Sequence, residues 1–165
     1  AAQNAGADMI CIHARTYQQP YKVEPKYEQV IAMKQALHIP VIGNGGIESL
    51  EDGYDYCKEL DGFYIGQATF GNPWIFTGKK PPLFKDRLPI IFNHAQYLIE
   101  HKGEFVGTRE IRKHLLAYVK GLHSVKPYKR YLSTVDSFDQ IKTLLLEISE
   151  MEMDYVKRNL VAQAA

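Results

Sequence analysis

What most limits the folds open to this chain is an alternation in its first half. Apolar runs too short for helices are each closed by a polar or glycine-bearing loop, with helix-spaced segments between them. The runs are DMICIHA (8–14), PVIGN (40–44) and GFYIGQ (62–67). Between them, PKYEQVIAMKQAL (25–37) sets Val30, Ile31, Met33, Ala36 and Leu37 at helical spacing, with Pro25 acceptable in a first turn. SLEDGYDYCKEL (49–60) opens on Ser49 as an N-cap, followed by acidic residues that suit the positive end of a helix. Such an alternation predicts a parallel sheet covered on its outside. In a barrel of eight strand–helix units the binding sites lie in the loops after the strands, and phosphate is held after the last two. Three units cannot close a barrel. They are expected to be its final three, with about five upstream by comparison with a whole barrel of ~250 residues.

The start of the chain agrees with that expectation. AAQNAGAD has no methionine and reads as a helix end, with Gly6 as its C-cap glycine, so the sequence is expected to be a piece of a longer protein. After Trp74 the character changes. FTGKKPPLFKDR (76–87) reads as a linker, and three helices are predicted after it. In 86–102 one face carries Leu88, Ile91, Phe92, Ala95, Leu98 and Ile99; in 138–158 it carries Ile141, Leu144, Leu145, Ile148 and Met151. The fold class expected is α/β: the C-terminal part of a TIM (β/α)8 barrel over 1–78, then a small all-α helical-bundle domain over 79–165.

Charge divides the chain at the same place. Residues 1–78 hold 5 Lys/Arg against 9 Asp/Glu, and residues 79–165 hold 15 against 10. The excess is concentrated on the middle helix (107–121) and the turn after it. At 100° per residue, Arg109, Arg112, Lys113 and Lys120 fall within an arc of roughly 100°, and Ile111, Leu115, Tyr118 and Val119 lie opposite. With Lys126, Lys129 and Arg130, residues 109–130 hold seven basic residues and one acidic one. A charge run is usually a solvated face; one this uncompensated also suits a polyanion.

The strand ends carry the other candidate site. Asn44-Gly45-Gly46 and Gly66-Gln67 close neighbouring strands. Glycine lets backbone N–H groups turn toward a ligand with no Cβ in the way, and consecutive amides form an anion-binding concavity. Tight turns alone would also use glycine, but two such loops at successive strand ends favour phosphate. His13 and Arg15 end the first run at the same rim, two residues apart and so on one side of an extended chain. Two cysteines, Cys11 and Cys57, give neither a disulfide framework nor metal-ligand spacing, and both read as packing residues. No apolar stretch approaches the ~18 residues of a membrane span, and AAQNAGADMI lacks the pattern of a signal peptide. A cytoplasmic monomer is expected.

Four blocks of this sequence together resemble the tRNA-dihydrouridine synthases. GADMICIHARTYQQPYKVEPKY is similar to the family's G-A-D…H-G-R-T-R-x-Q-x-Y segment, and IPVIGNGGI to its I-P-V-I-G-N-G-D-I. DGFYIGQATFGNPWIF resembles the block built on D-G…I-G-R…G-N-P-W, and REIRKHLLAYVKGL the helix with R-K-H-x-x-W-Y-x-K-G. The blocks keep family order from about residue 5 to 148. The resemblance implies an FMN-binding barrel followed by a helical domain that docks tRNA. NADPH, or more broadly NAD(P)H, would reduce the flavin, which reduces uridine to 5,6-dihydrouridine. His13, Asn44, Gly45, Gly46, Gly66 and Gln67 would hold FMN, the glycines making room for its phosphate. Arg15 would touch flavin or substrate, and Arg109, Arg112 and Lys113 the tRNA backbone. The family's cysteine acid and a flavin-contacting lysine belong to the barrel's first half and match nothing here, so this chain alone is expected to lack catalytic competence.

Three residues depart from the pattern. Gln67 stands where the family has arginine, Gly46 where an acid is common, and Tyr17 where arginine is usual. A charge-assisted hydrogen bond contributes about 1.5–3 kcal/mol against roughly 0.5–1.5 for a neutral one, so Gln67 implies weaker FMN binding. Two alternatives stay open. Another FMN barrel of the dihydroorotate dehydrogenase kind also carries GNGGI-like loops but needs no basic helical tail. A non-catalytic tRNA-binding remnant would keep the tail and lose the flavin.

Overall fold

The computed structural model describes residues 1–123 and 125–163. The chain forms two compact units, one of residues 1–69 with 73–79, the other of residues 70–72 with 80–165.

The first unit is a three-stranded parallel sheet in the order β1 (Ile10–His13), β2 (Val41–Asn44), β3 (Gly62–Tyr64). Helix α1 (Tyr27–Gln35) joins β1 to β2, and α2 (Leu50–Tyr56) joins β2 to β3. The sheet is two-faced. Ile10, Ile12, Val41 and Phe63 belong to the core with Tyr27, Val30, Ile47, Cys57, Ile65 and Ile75, whereas Cys11, His13 and Tyr64 are exposed on the alternate positions. Ser49 caps α2 as its position predicts, its Oγ accepting from the Asp52 amide at 3.0 Å. Gly6 has φ 93° and closes a single 3-10 turn, Gln3–Ala5, rather than a longer helix. The Asp61 carboxylate holds the start of β2, accepting from the Val41 amide at 2.6 Å while pairing with Lys34 at 2.6 Å. Helix α1 is wetter than its spacing suggests. It buries Tyr27 and Val30, but Met33 and Ala36 are exposed.

The second unit is helical: α3 (Phe84–Lys102), α4 (Glu104–Tyr118), α5 (Tyr128–Leu132) and α6 (Phe138–Gln163). The connection before it is shorter than 76–87, since Pro73–Thr77 is a 3-10 turn of the first unit and α3 already begins at Phe84. Helix α4 doubles back along α3, with Gly107 near Leu98 and Ile99, and the Tyr118 hydroxyl 3.2 Å from His94 Nδ1. A Cβ on Gly107 would stand 2.7 Å from the Ile99 backbone, so the crossing requires its absence. Ile91, Ala95, Ile111, Leu115, Ile141, Leu145 and Ile148 fill the centre. Each large aliphatic side chain so buried contributes about 1.5–3 kcal/mol. Met151, expected on that face, is exposed; its sulfur accepts a hydrogen bond from the Tyr128 hydroxyl at 3.1 Å.

Two boundaries on the basic segment differ from expectation. Helix α4 starts at Glu104 and ends at Tyr118, so Lys120 lies in the following turn and not on the helical arc. That turn passes through Gly121 at φ 84°. Beyond it, residues expected to form only a turn make the short helix α5. Its Leu132 is fully buried, and Val125 before the helix and Val135 after it are buried too.

Candidate functional site

The parallel register places His13 directly across from Asn44, at the C-terminal ends of β1 and β2. Asn44 Oδ1 accepts from His13 Nδ1 at 3.1 Å. An amide oxygen can only accept, so Nδ1 carries a proton in this bond. The Cys11 thiol lies on the face of the sheet it shares with His13. Partial burial pushes that thiol above its usual range, and Asn44 only partly offsets this. Burial raises the Cys57 thiol as well. Neither cysteine is poised as a thiolate.

Gly45 and Gly46 follow with φ 108° and 71°, a backbone that side chains resist. Sequence reasoning expects the space of their missing Cβ atoms to be taken by a phosphate. It is filled by protein. A Cβ on Gly45 would stand 2.8 Å from the His13 ring, and one on Gly46 2.9 Å from Pro25 and 3.1 Å from an Arg15 nitrogen. The glycines let His13 and Arg15 close over the loop. The Gly45 and Gly46 amides donate to no acceptor among the described residues. Gly66, by contrast, faces open space, with nothing within 4 Å of the Cβ position.

These pieces meet at one cleft of about 220 Å³. His13, Arg15, Asn44, Gly45, Gly46, Gly66 and Gln67 all line it. Arg15 is held at the rim by its Nε–H donating to the Val23 carbonyl at 2.7 Å, and Gln67 opens a 3-10 turn directly after β3. Unpartnered amides, a fixed imidazole and a guanidinium form a cradle suited to an anion. Its volume falls below the roughly 300–1,000 Å³ usual for whole small-molecule pockets, so it fits one end of a cofactor rather than all of it.

Sequence reasoning missed four residues here. Tyr21, Ile47 and Glu48 also line the cleft. Tyr21 matches the tyrosine that ends the H-G-R-T-R-x-Q-x-Y pattern, which was the available signal; Ile47 and Glu48, just past Gly46, gave none. Tyr27 lies beneath: its buried hydroxyl donates to the Gly45 carbonyl at 2.8 Å and its ring stacks on Tyr56 at 5.2 Å. Burial pushes the Tyr27 phenol far up, so it stays a donor.

In the helical unit the three predicted cations are placed unequally. Lys113 is exposed. Arg109 is exposed too, lying 3.4 Å over the Phe105 ring and donating to the Phe105 carbonyl at 3.0 Å. Arg112 is half-buried. Its Nε donates to Val135 O at 2.9 Å, and its Nη2 donates to Val135 O at 2.6 Å and Thr134 O at 3.2 Å. Among the described residues no His/Cys/Asp/Glu cluster could hold a metal, and no helix is long and apolar enough to cross a membrane.

Known proteins carry the same blocks. A family model described as dihydrouridine synthase (Dus) matches residues 1–153. A probable tRNA-dihydrouridine synthase of Mycobacterium tuberculosis (strain CDC 1551 / Oshkosh) is 35% identical over 157 residues, covering 87% of this chain and 40% of that protein. tRNA-dihydrouridine synthase B of Vibrio vulnificus (strain CMCP6) is 33% identical over 150 residues, covering 82% and 46%. A probable tRNA-dihydrouridine synthase of Rickettsia prowazekii (strain Madrid E) is 28% identical over 165 residues, covering 93% and 50%. The chain thus spans half or less of the length of these relatives. The matched span takes in both the strand-end cleft and the basic helix α4, and the chain belongs to the dihydrouridine synthase family.

Proposed function

We propose that this chain is the flavin-phosphate and tRNA-docking part of an FMN-dependent tRNA-dihydrouridine synthase. The observation that carries the reading is the cleft at the ends of β1, β2 and β3, where the free amides of Gly45 and Gly46 face the same space as His13, Arg15 and Gln67. The Gly45 and Gly46 amides, with the Gly66-Gln67 loop beside them, hold the phosphate end of FMN. Arg15 supplies positive charge at the rim, and Asn44 keeps the His13 ring oriented toward the cofactor. Glu48 on the same wall opposes an anion, and Gln67 contributes hydrogen bonds without the charge of an arginine. Binding is therefore weaker than an arginine there would give.

Bound there, FMN would supply hydride-transfer chemistry for uridine reduction, with NADPH as its reductant and a proton from an acid outside the cleft. The residues of this chain bind and orient, and neither Cys11 nor Cys57 lines the cleft. The chain by itself is not competent for the whole reaction. Arg109 and Lys113 on α4 present cations to the RNA backbone, where binding falls steeply with salt.

The test joins this chain to the upstream barrel segment of a relative and supplies FMN, NADPH and an unmodified transcribed tRNA. Dihydrouridine in the tRNA, read by mass, is the expected product, and this chain alone should give none. A joined protein that retains FMN yet leaves every tRNA unmodified would contradict the reading. Retention of tRNA without any flavin would favour the non-catalytic remnant.

A further inference from the structure

We propose that Arg112 is a positioning residue of the RNA face and not one of its phosphate contacts: it fastens the corner after α5 so that Lys126, Lys129 and Arg130 meet the phosphates. The proposal rests on the tRNA reading above and assigns its contacts.

The guanidinium of Arg112 directs its Nε and Nη2 donors at the carbonyls of Thr134 and Val135. Those carbonyls lie between α5 and α6, outside both helices, and the guanidinium supplies their partners. A fork of N–H groups satisfies two carbonyls at once; an ammonium, being a point charge on a flexible stem, does not reproduce it. Two of the three guanidinium nitrogens are committed to the protein backbone.

The corner it holds has the character of a polyanion surface. Residues 111–135 contain six Lys/Arg and no Asp/Glu. Lys126, Lys129 and Arg130 are exposed, and among the described residues no carboxylate pairs with them. The segment is anchored from the other side by α6. The His123 amide donates to Glu152 Oε2 at 2.8 Å, and the His123 ring stacks on Tyr155 at 3.7 Å between centroids. Leu132 and Val135 are buried beneath. The cations therefore project from a platform built before RNA arrives, and such preorganisation reduces the ordering cost of binding.

The experiment compares Arg112→Lys, Arg112→Gln and Lys129→Gln in the intact chain. Affinity for an unmodified transcribed tRNA is measured across a salt series, with amide hydrogen exchange at residues 128–135 followed in the absence of RNA. Arg112→Lys should lose affinity about tenfold, as much as Arg112→Gln, because the lost fork and not the charge matters. Both should speed exchange at 128–135. Lys129→Gln should leave exchange unchanged and lower the salt slope by about 0.7–0.9, the value of one phosphate contact. Wild-type affinity in Arg112→Lys, or unchanged exchange in both Arg112 variants, overturns the proposal. Should the Arg112 variants fail to fold, the triple variant Lys126→Gln, Lys129→Gln and Arg130→Gln decides: an unchanged salt slope overturns it, and a slope reduced by about two or more supports it. A wild-type chain with no salt-dependent tRNA binding removes the underlying reading, and that result is visible before any variant is made.

Discussion

The strand-end cleft and the basic face are built from different material. In the cleft the lining groups include the backbone of three glycines, fixed by sheet register and, at two of them, by a positive φ. On the basic face they are long side chains, each free to choose its own partner. Register leaves little choice: seven residues picked out for one cleft all line it. The face offers more choice, and of three cations picked out for one arc, Lys113 is exposed, Arg109 folds onto Phe105 and Arg112 turns inward to two carbonyls. Periodicity locates a Cα on a helix, but not the tip of an arginine several rotatable bonds away.

The largest expected effect breaks the cleft at its tightest point. Gly45→Ala forces a side chain into φ 108° and against the His13 ring. It should cost about 1–3 kcal/mol in strain, seen as a lower Tm, and remove measurable FMN binding. Gly66→Ala meets open space and should leave Tm nearly unchanged. If both variants melt alike, the contrast drawn between these glycines is wrong. Next comes Tyr27→Phe, which strips the hydroxyl from beneath Gly45. Removing one partner of a buried hydrogen bond costs about 1–3 kcal/mol, measured by denaturant unfolding. FMN affinity should fall with it, since the loop carbonyl loses its anchor.

Gln67→Arg sharpens the comparison from the other side by adding charge beside the glycine loops. The gain should be about five- to tenfold in FMN affinity, and an unchanged dissociation constant would count against a role for this position. The smallest effect lies at the foot of β2. Lys34 beside Asp61, together with the Val41 amide, holds that carboxyl below the usual carboxylate range. A depressed folded pKa contributes stability above the unfolded value of about 3.9 and loses it as pH falls through the folded one. Wild type should therefore lose more stability than Asp61→Asn between about pH 4 and pH 2, and parallel acid-melting curves would show that the pair contributes nothing.

Much of the fold was legible because its signals are local. Ser49 followed by acids gave the start of α2, and the spacing of Ile91, Ala95, Ile111 and Leu115 gave the inward faces of α3 and α4. What escaped depends on contacts far apart in sequence. Tyr27 reads as one more helix residue until its hydroxyl is seen 2.8 Å from Gly45 O, eighteen positions away. Helix α5 carries too few residues for a periodicity, and the burial of its Leu132 shows only in the fold. Met33 and Met151 fit the apolar spacing of their helices yet are exposed, since spacing cannot say how wide a stripe the neighbour covers. The glycine pair was the instructive case: the residue type was read correctly, and the atoms filling the vacated space turned out to be His13, Pro25 and Arg15.

The central claim is that the amides of Gly45 and Gly46 hold the anionic end of a flavin. Its most direct measurement is paired titration of the protein with FMN and with riboflavin, which share the ring and differ in the phosphate, read by quenching of flavin fluorescence. The account predicts saturable quenching by FMN, at least about a hundredfold weaker binding of riboflavin, and loss of that preference in Gly45→Ala. Equal affinity for the two flavins, or a preference that survives in Gly45→Ala, would contradict it.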